Sequence, residues 1–342
     1  MQAVILVGGE GTRLRPLTYD LPKPMVPIFG KPYLEHLFDL LKKHNIYEII
    51  LSSGYKVEEI QKHFKDGSDF GVKIYYAVET TPLGTAGAVK NAERFITGTF
   101  LAFNGDIISD IDLTALIEFH RNNKSMATIS LYWVEDPSQY GLVETDQSDR
   151  ILEFKEKPKK EEAVSNYINA GIYVLEKEVL SNIPENEKYS FERQLYPDLL
   201  SSGKHLYGFK YNSYWIDIGS PEKYLKIHQD ALKGKYELEL PIKGHNGIYL
   251  GKNINIDSAK LTPPVYIEDN CKLEDDLAIG PDVIIGKNCI IKNNSTISNS
   301  LFWENVIIGN NTVISGSILG RNLTIENNKN IIDEILGSSI NV

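Results

Sequence analysis

The sequence predicts an α/β protein in two parts. A mostly parallel sheet with helices on both faces occupies residues 1–234, and a parallel β-helix with a C-terminal tail occupies 247–342, after a linker at 235–246. Three observations carry this: strand-like and helix-like runs alternate through the first part, a glycine loop directly follows the first apolar run, and a six-residue apolar period fills the remainder.

The strand candidates are 3–7, 48–52, 74–77 and 100–103, each a short apolar run. Between the first two lies a helix over 33–43, with Leu34, Leu37, Phe38 and Leu41 on one face, and a second helix is predicted over 85–95. Open sheets of this kind hold ligands beyond the carboxyl ends of their strands. Gly8-Gly9 and Asn104-Gly105-Asp106 stand at such ends.

In the second part Ile267, Leu273, Ile279, Ile285, Ile291 and Ile297 follow one another at six-residue spacing, as do Leu250 and Ile256; after a slip, Ile308 and Ile314 resume it. Ordinary strands have a period of two and would not hold this phase. The pattern resembles the left-handed hexapeptide β-helix family, in which three hexapeptides make one triangular coil. Cys271 and Cys289 are 18 residues apart, so they are expected to stack in adjacent coils, reduced.

Composition narrows the function. The chain has 342 residues, 42% apolar and 24% charged, the balance of an ordinary globular protein. A net charge of -10 argues against nucleic acid and anionic membrane as partners. An enzyme acting on anions must then gather positive charge locally. No apolar run is long enough to span a bilayer, the first apolar run lacks a basic leader, and two cysteines indicate no disulfide framework. A cytoplasmic location is expected.

The segment Gly8-Gly9-Glu10-Gly11-Thr12-Arg13-Leu14-Arg15-Pro16-Leu17-Thr18, with Pro22-Lys23-Pro24 beyond it, combines close-approach glycines with Arg13, Arg15 and Lys23. Exposed backbone N–H groups and cations of this kind suit a triphosphate. A dinucleotide fingerprint would require glycine where Leu14 stands, and no Gly-Lys-Ser/Thr follows to make a Walker loop. Asp106 and Asp217 lie in loop positions after apolar runs, and Mg²⁺ commonly takes one or two carboxylates plus phosphate oxygens. None of the seven histidines has metal-ligand or triad spacing, and the aromatic residues around 207–215 read as packing.

These segments resemble the sugar-nucleotide pyrophosphorylase family, the sugar-1-phosphate nucleotidyltransferases, whose first domain is Rossmann-like. Leu83-Gly84-Thr85-Ala86-Gly87, Tyr140-Gly141, Glu156-Lys157-Pro158, Asn169-Ala170-Gly171 and Trp215-Ile216-Asp217-Ile218-Gly219 continue the match in order. The resemblance implies that Arg13 and Lys23 are catalytic. It implies nucleotide contacts from Leu6, Gly8, Gly9, Gly11, Thr12, Gly84 and Thr85, and sugar-phosphate contacts from Gly141, Glu156, Lys157 and Asn169. Mg²⁺ would be held by Asp106 and Asp217. The β-helix suggests a homo-oligomer, since its ends and faces need covering. The substrates would be an NTP and a sugar 1-phosphate, giving an NDP-sugar and pyrophosphate. Leu83–Gly87, Asp136–Gly141 and Ser190–Glu192 look most like members using GTP and mannose 1-phosphate; UTP or dTTP with glucose 1-phosphate is the alternative. An acyl-transferring β-helix would need a histidine, and residues 247–342 contain none. A non-catalytic regulatory homologue would lack the charged residues that this chain keeps.

Overall fold

The architecture is taken from a computed structural model, which describes residues 1–156 and 165–338. Contacts divide the chain into two units: Met1–Gly9 with Leu34–Asp217, and Glu10–Tyr33 with Ile218–Val342.

The first unit is built on a nine-stranded sheet. Its spatial order begins Ile151–Glu156, Gly141–Thr145, Tyr167–Leu175 and Phe100–Asn104, then continues through Gln2–Leu6, Glu48–Ser53 and Lys73–Val78. The last four pair in parallel. Tyr167–Leu175 runs antiparallel to Phe100–Asn104, Ala127–Trp133 and Gly141–Thr145, so the sheet is mixed rather than parallel throughout. The cause is connection length. Parallel neighbours need a crossover, usually a helix, whereas Gly141–Thr145 reaches Ile151–Glu156 through a short turn. Asp146 Oδ1 accepts from Ser148 N and Arg150 N in that turn, at 2.8 and 3.0 Å.

The four strand candidates and the helix Tyr33–Lys43 all form, with Leu34, Leu37, Phe38 and Leu41 buried. The second helix stops early. It spans Gly84–Asn91 and gives way to a separate 3₁₀ turn at Glu93–Phe95. Central strands read as unbroken apolar runs because helices cover both faces: Val4, Ile50, Phe100 and Ala102 are fully buried in one cluster.

The second unit contains the β-helix. Three stacks of seven, five and four strands wind through 244–336, parallel except that Gly244–His245 pairs antiparallel with Ile248–Leu250. Inward-facing Ile267, Ile279, Ile285, Ile291, Ile297, Ile308 and Ile314 share one buried cluster, as their spacing requires. The slip in the period has a structural meaning. Lys272 pairs with Ile290, 18 residues on, but Ile290 pairs with Ile307, 17 on, so a corner loses one residue without disturbing the stack. Cys271 and Cys289 are free and buried; Lys272 N donates to Cys289 O at 2.8 Å, which sets them in adjacent coils. Asn253, Asn270, Asn288, Asn305 and Asn322 turn one corner with positive φ. Asparagine tolerates that conformation, and the amides bond down the ladder, Asn253 Nδ2 to Asn270 Oδ1 at 2.8 Å and Asn305 Nδ2 to Asn322 Oδ1 at 2.9 Å.

Candidate active site

The first unit gathers most of the expected residues at the carboxyl end of Gln2–Leu6. Gly105 N donates to Leu6 O at 2.9 Å. A Cβ at Gly105 would lie 2.1 Å from that carbonyl, so only glycine passes here, and Asp106 is delivered just beyond the strand end. Trp215–Asp217 pairs antiparallel with Ile107–Ser109, setting Asp217 opposite Ile107, the residue after Asp106. Two aspartates far apart in sequence thus become neighbours across a two-stranded ladder. Tyr140 Oη donates to Asp217 Oδ1 at 3.5 Å. Among the described residues no group of three or more His, Cys, Asp or Glu is placed to hold a metal by itself. A pair of hard carboxylate oxygens matches Mg²⁺, which completes its shell with phosphate and water.

Around this pair the other segments converge. Gly141 follows Tyr140 and stands opposite Glu156 in the sheet. The side chain of Glu156 and all of Lys157 lie outside the described residues. Asn169, in Tyr167–Leu175, has its amide engaged by the protein: Oδ1 accepts from Gly171 N at 3.0 Å, and Nδ2 donates to Tyr173 Oη at 2.9 Å and Glu192 Oε1 at 3.1 Å.

The loop expected to contact the base is shaped by close backbone packing. Gly84 has φ of 71°, and a Cβ there would meet Tyr189 O at 2.8 Å; at Gly87 it would meet Glu187 O at 2.6 Å. Ala86 N and Gly87 N donate to Tyr189 O, and Tyr189 N returns a bond to Leu83 O. Thr85 Oγ1 accepts from Phe191 N at 2.9 Å, so its hydroxyl ties the loop to the Ser190–Glu192 segment.

Three residues with no assigned role occupy this site. Glu192 gathers bonds from Asn169, Tyr173 and Ser190, the last at 2.8 Å. Tyr173 is fully buried, and burial, with the Glu192 charge behind it, pushes its phenol well above the usual range, so it remains a neutral donor. Glu79 accepts from Ser52 Oγ and Leu83 N, both at 3.2 Å, and a Cβ at Gly8 would lie 3.3 Å from its Oε1. It therefore stands between the first glycine loop and the Leu83–Gly87 loop. Ser190-Phe191-Glu192 is a motif in the sequence, but no spacing rule reveals that Glu192 gathers the Tyr167–Leu175 strand to itself. Trp215 stacks on Tyr132 at 5.3 Å and donates to Ala170 O at 2.9 Å, in keeping with its reading as packing.

In the second unit the basic segment is held by its own turns. Gly11 has φ of 63° and begins the 3₁₀ turn Thr12–Leu14; Thr18 Oγ1 donates to Gly11 O at 2.8 Å. A Cβ at Gly11 would lie 3.1 Å from Lys23 Cβ, so this glycine lets the two ends of the loop meet. Gly9, Thr12 and Arg13 are exposed and Lys23 is half-buried. Arg15 Nη2 pairs with Glu10 Oε2 at 3.0 Å and its guanidinium lies over Tyr19.

A mixed sheet with glycine loops and two adjoining aspartates at its carboxyl edge is the architecture of a nucleotidyl-transferring enzyme. The family described as Nucleotidyl transferase matches residues 2–234, and the chain belongs to it. A second match, the GMPPB C-terminal domain, covers residues 261–342. Mannose-1-phosphate guanylyltransferase of Mycobacterium tuberculosis is 40% identical over 77% of this chain and 72% of its own length. UTP--glucose-1-phosphate uridylyltransferase of Synechocystis is 38% identical over 80% of this chain and 75% of its own. Among solved structures, HddC of Yersinia pseudotuberculosis complexed with GMP-PN superposes with a TM-score of 0.59 at 34% identity, covering 67% of this chain and 99% of that one.

Proposed function

We propose that this protein transfers a guanylyl group from GTP to mannose 1-phosphate, giving GDP-mannose and pyrophosphate. The observation that carries the reading is the antiparallel pairing that sets Asp217 beside Asp106 at the end of the strand preceding the glycine loop. The likeness to guanylyl-transferring relatives supports the choice of base and sugar.

The reaction is an in-line displacement. A phosphate oxygen of the sugar 1-phosphate attacks the α-phosphorus of GTP, the α–β bridging bond breaks, and pyrophosphate leaves with its electron pair. The attacking oxygen is already anionic, so no general base is needed. Positioning and charge neutralisation supply the catalysis. Asp106 and Asp217 would hold Mg²⁺, which when bound neutralises phosphate charge and fixes phosphate oxygens in place. Arg13 stabilises charge developing on the α- and leaving phosphates, and Lys23 adds a second cation. The backbone at Gly8, Gly9, Gly11 and Thr12 approaches the triphosphate, with Leu6, Gly84 and Thr85 lining the nucleoside. Lys157 brings the second anion to the first, with Gly141, Glu156 and Asn169 around the sugar. Glu192 orients the Asn169 amide. Cleavage and formation of like phosphoanhydrides make the reaction reversible. The same reading takes a homo-oligomer in the cytoplasm as the working state.

A second reading, UTP or dTTP with glucose 1-phosphate, is favoured by the uridylyltransferase relative. Pyrophosphate release from each common NTP and dTTP, crossed with mannose, glucose and glucosamine 1-phosphates, decides between them. GTP with mannose 1-phosphate is expected to give the highest kcat/KM, with leakage to other pairs, since one unmade contact costs only ~1–3 kcal/mol. A preference for UTP or dTTP with glucose 1-phosphate removes the guanylyl assignment and keeps the chemistry. No pyrophosphate from any pair favours a regulatory homologue.

A further inference from the structure

The seven-stranded face of the β-helix has buried residues on both of its sides. Along Val265–Ile267 and Val283–Ile285, the flanking valines and isoleucines point into the coil and belong to its interior cluster. Strand alternation sends Tyr266 and Ile284 outward, and the next coils send out Leu301 and Ile318. These outward positions should be wet. Instead they are 1%, 2%, 3% and 2% exposed.

Over Tyr266, Ile284 and Leu301 the cover comes from the basic segment and the helix Pro221–Leu232, within the same unit. Phe29 sets its ring against Tyr266 at 4.8 Å and His228 at 4.9 Å. Tyr224 Oη donates to Pro27 O, and Trp303 Nε1 donates to Tyr224 Oη at 3.0 Å. Pro27 directly follows the turn Lys23–Met25 and Val26. At the far end of the coil, a Cβ on Gly337 would lie 2.8 Å from Pro16 Cβ, so the last coil abuts the residue next to Arg15. The segment Glu10–Tyr33 is accordingly fixed near both of its ends by the β-helix.

We propose that the outer face of this β-strand stack is the template that holds the Glu10–Tyr33 segment in shape for the triphosphate, with Trp303 and Tyr224 as positioning residues acting through the Pro27 carbonyl. The inference rests on the reading of Arg13 and Lys23 as phosphate-binding. A neutral, fully buried relay of this kind has no reason to touch substrate. It sets the backbone from which Lys23 projects, and a small displacement of a positioning group is costly to catalysis.

The test is steady-state kinetics on the full chain, varying GTP and mannose 1-phosphate separately. Tyr224→Phe removes the hydroxyl from the middle of the relay, and Trp303→Phe keeps a ring while removing its donor. Both are expected to raise KM for the nucleotide by about 5- to 30-fold, the scale of one lost buried hydrogen bond, and to leave KM for the sugar phosphate within about twofold. Ile314→Val inside the coil is the stability control, expected to lower Tm and leave both KM values unchanged. If Tyr224→Phe fails to fold, Trp303→Phe carries the test alone. Unchanged nucleotide KM in the relay variants, beside a large loss in Arg13→Ala, would overturn the positioning role and leave the proposed function intact. An unimpaired Arg13→Ala sinks both.

Discussion

At the scale of single residues, the site depends on groups whose replacement has a definite expected cost. Asp106→Ala and Asp217→Ala should each lower kcat at least about 100-fold, the scale of losing one preorganised electrostatic contact, while thermal melting shows the fold intact. Near-normal turnover in both would remove the metal assignment. Lys157→Ala should act mainly on KM for the sugar phosphate, because its partner is bound in ground and transition states alike. Gly105→Ala tests geometry rather than chemistry. Its Cβ would sit 2.1 Å from the Leu6 carbonyl, so backbone must shift, and a loss of roughly 1–3 kcal/mol in unfolding free energy is expected together with a fall in kcat as Asp106 moves. A Gly105→Ala variant with wild-type Tm and turnover would contradict the close packing of these two loops. The aspartates and Lys157 were legible as motif positions. Glu192 stood in a motif without a role, and Glu79 and Tyr173 in none, because their significance lies in partners brought from distant segments.

At the scale of elements, the β-helix repeats one solution in every coil: an aliphatic residue inward, an asparagine at the corner, a parallel strand between. Glu268 departs from it. It stands where Gly30 approaches, and a Cβ on Gly30 would meet its Oε1 at 2.4 Å. Burial raises its carboxyl pKa, partly offset by the backbone bond from Lys287 N and the Lys287 charge. Its folded-state value therefore lies above its unfolded value. The protonated form favours folding, so that contribution is fully present below the ordinary glutamate value and is lost as pH rises through the raised one. Glu268→Gln should consequently narrow the gap in Tm between mildly acidic and neutral buffer relative to wild type, and calorimetry at a series of pH values measures it. An identical pH profile in the variant would show that Glu268 ionises in the fold as freely as in the unfolded chain. The period announced the coil, but it gave no hint that Glu268 would be covered, because the covering segment lies over 200 residues earlier.

At the scale of the whole molecule, sequence order and spatial grouping diverge. The contact units join Glu10–Tyr33 to Ile218–Val342, whereas the run of motifs suggested a first part that was continuous to 234. A chain ending at Gly234 would strip Tyr224 and Phe29 of the face that buries them. Trypsin is expected to cut such a chain at Arg13 faster than the full protein, with mass spectrometry following the fragments; proline after Arg15 and after Lys23 protects those bonds. Equal cleavage rates would mean that the segment keeps its shape without the coil. With a net charge of -10, the proposed anionic substrates would depend on local clusters of cations such as that around Arg13 and Lys23.

The sequence by itself determined the alternation of strands and helices, the phase of the hexapeptide period and the motif positions, because each is a local pattern that a short window contains. It also located the glycine loops, whose need for close backbone approach is a property of the residue. Only the tertiary structure decided that the sheet turns antiparallel beyond Phe100–Asn104, that Asp217 stands opposite Ile107, and that Arg15 turns to Glu10. It alone decided that Phe29 reaches Tyr266. Those facts depend on pairing between segments far apart in the chain, where burial and hydrogen-bond register choose among partners that no local pattern can rank.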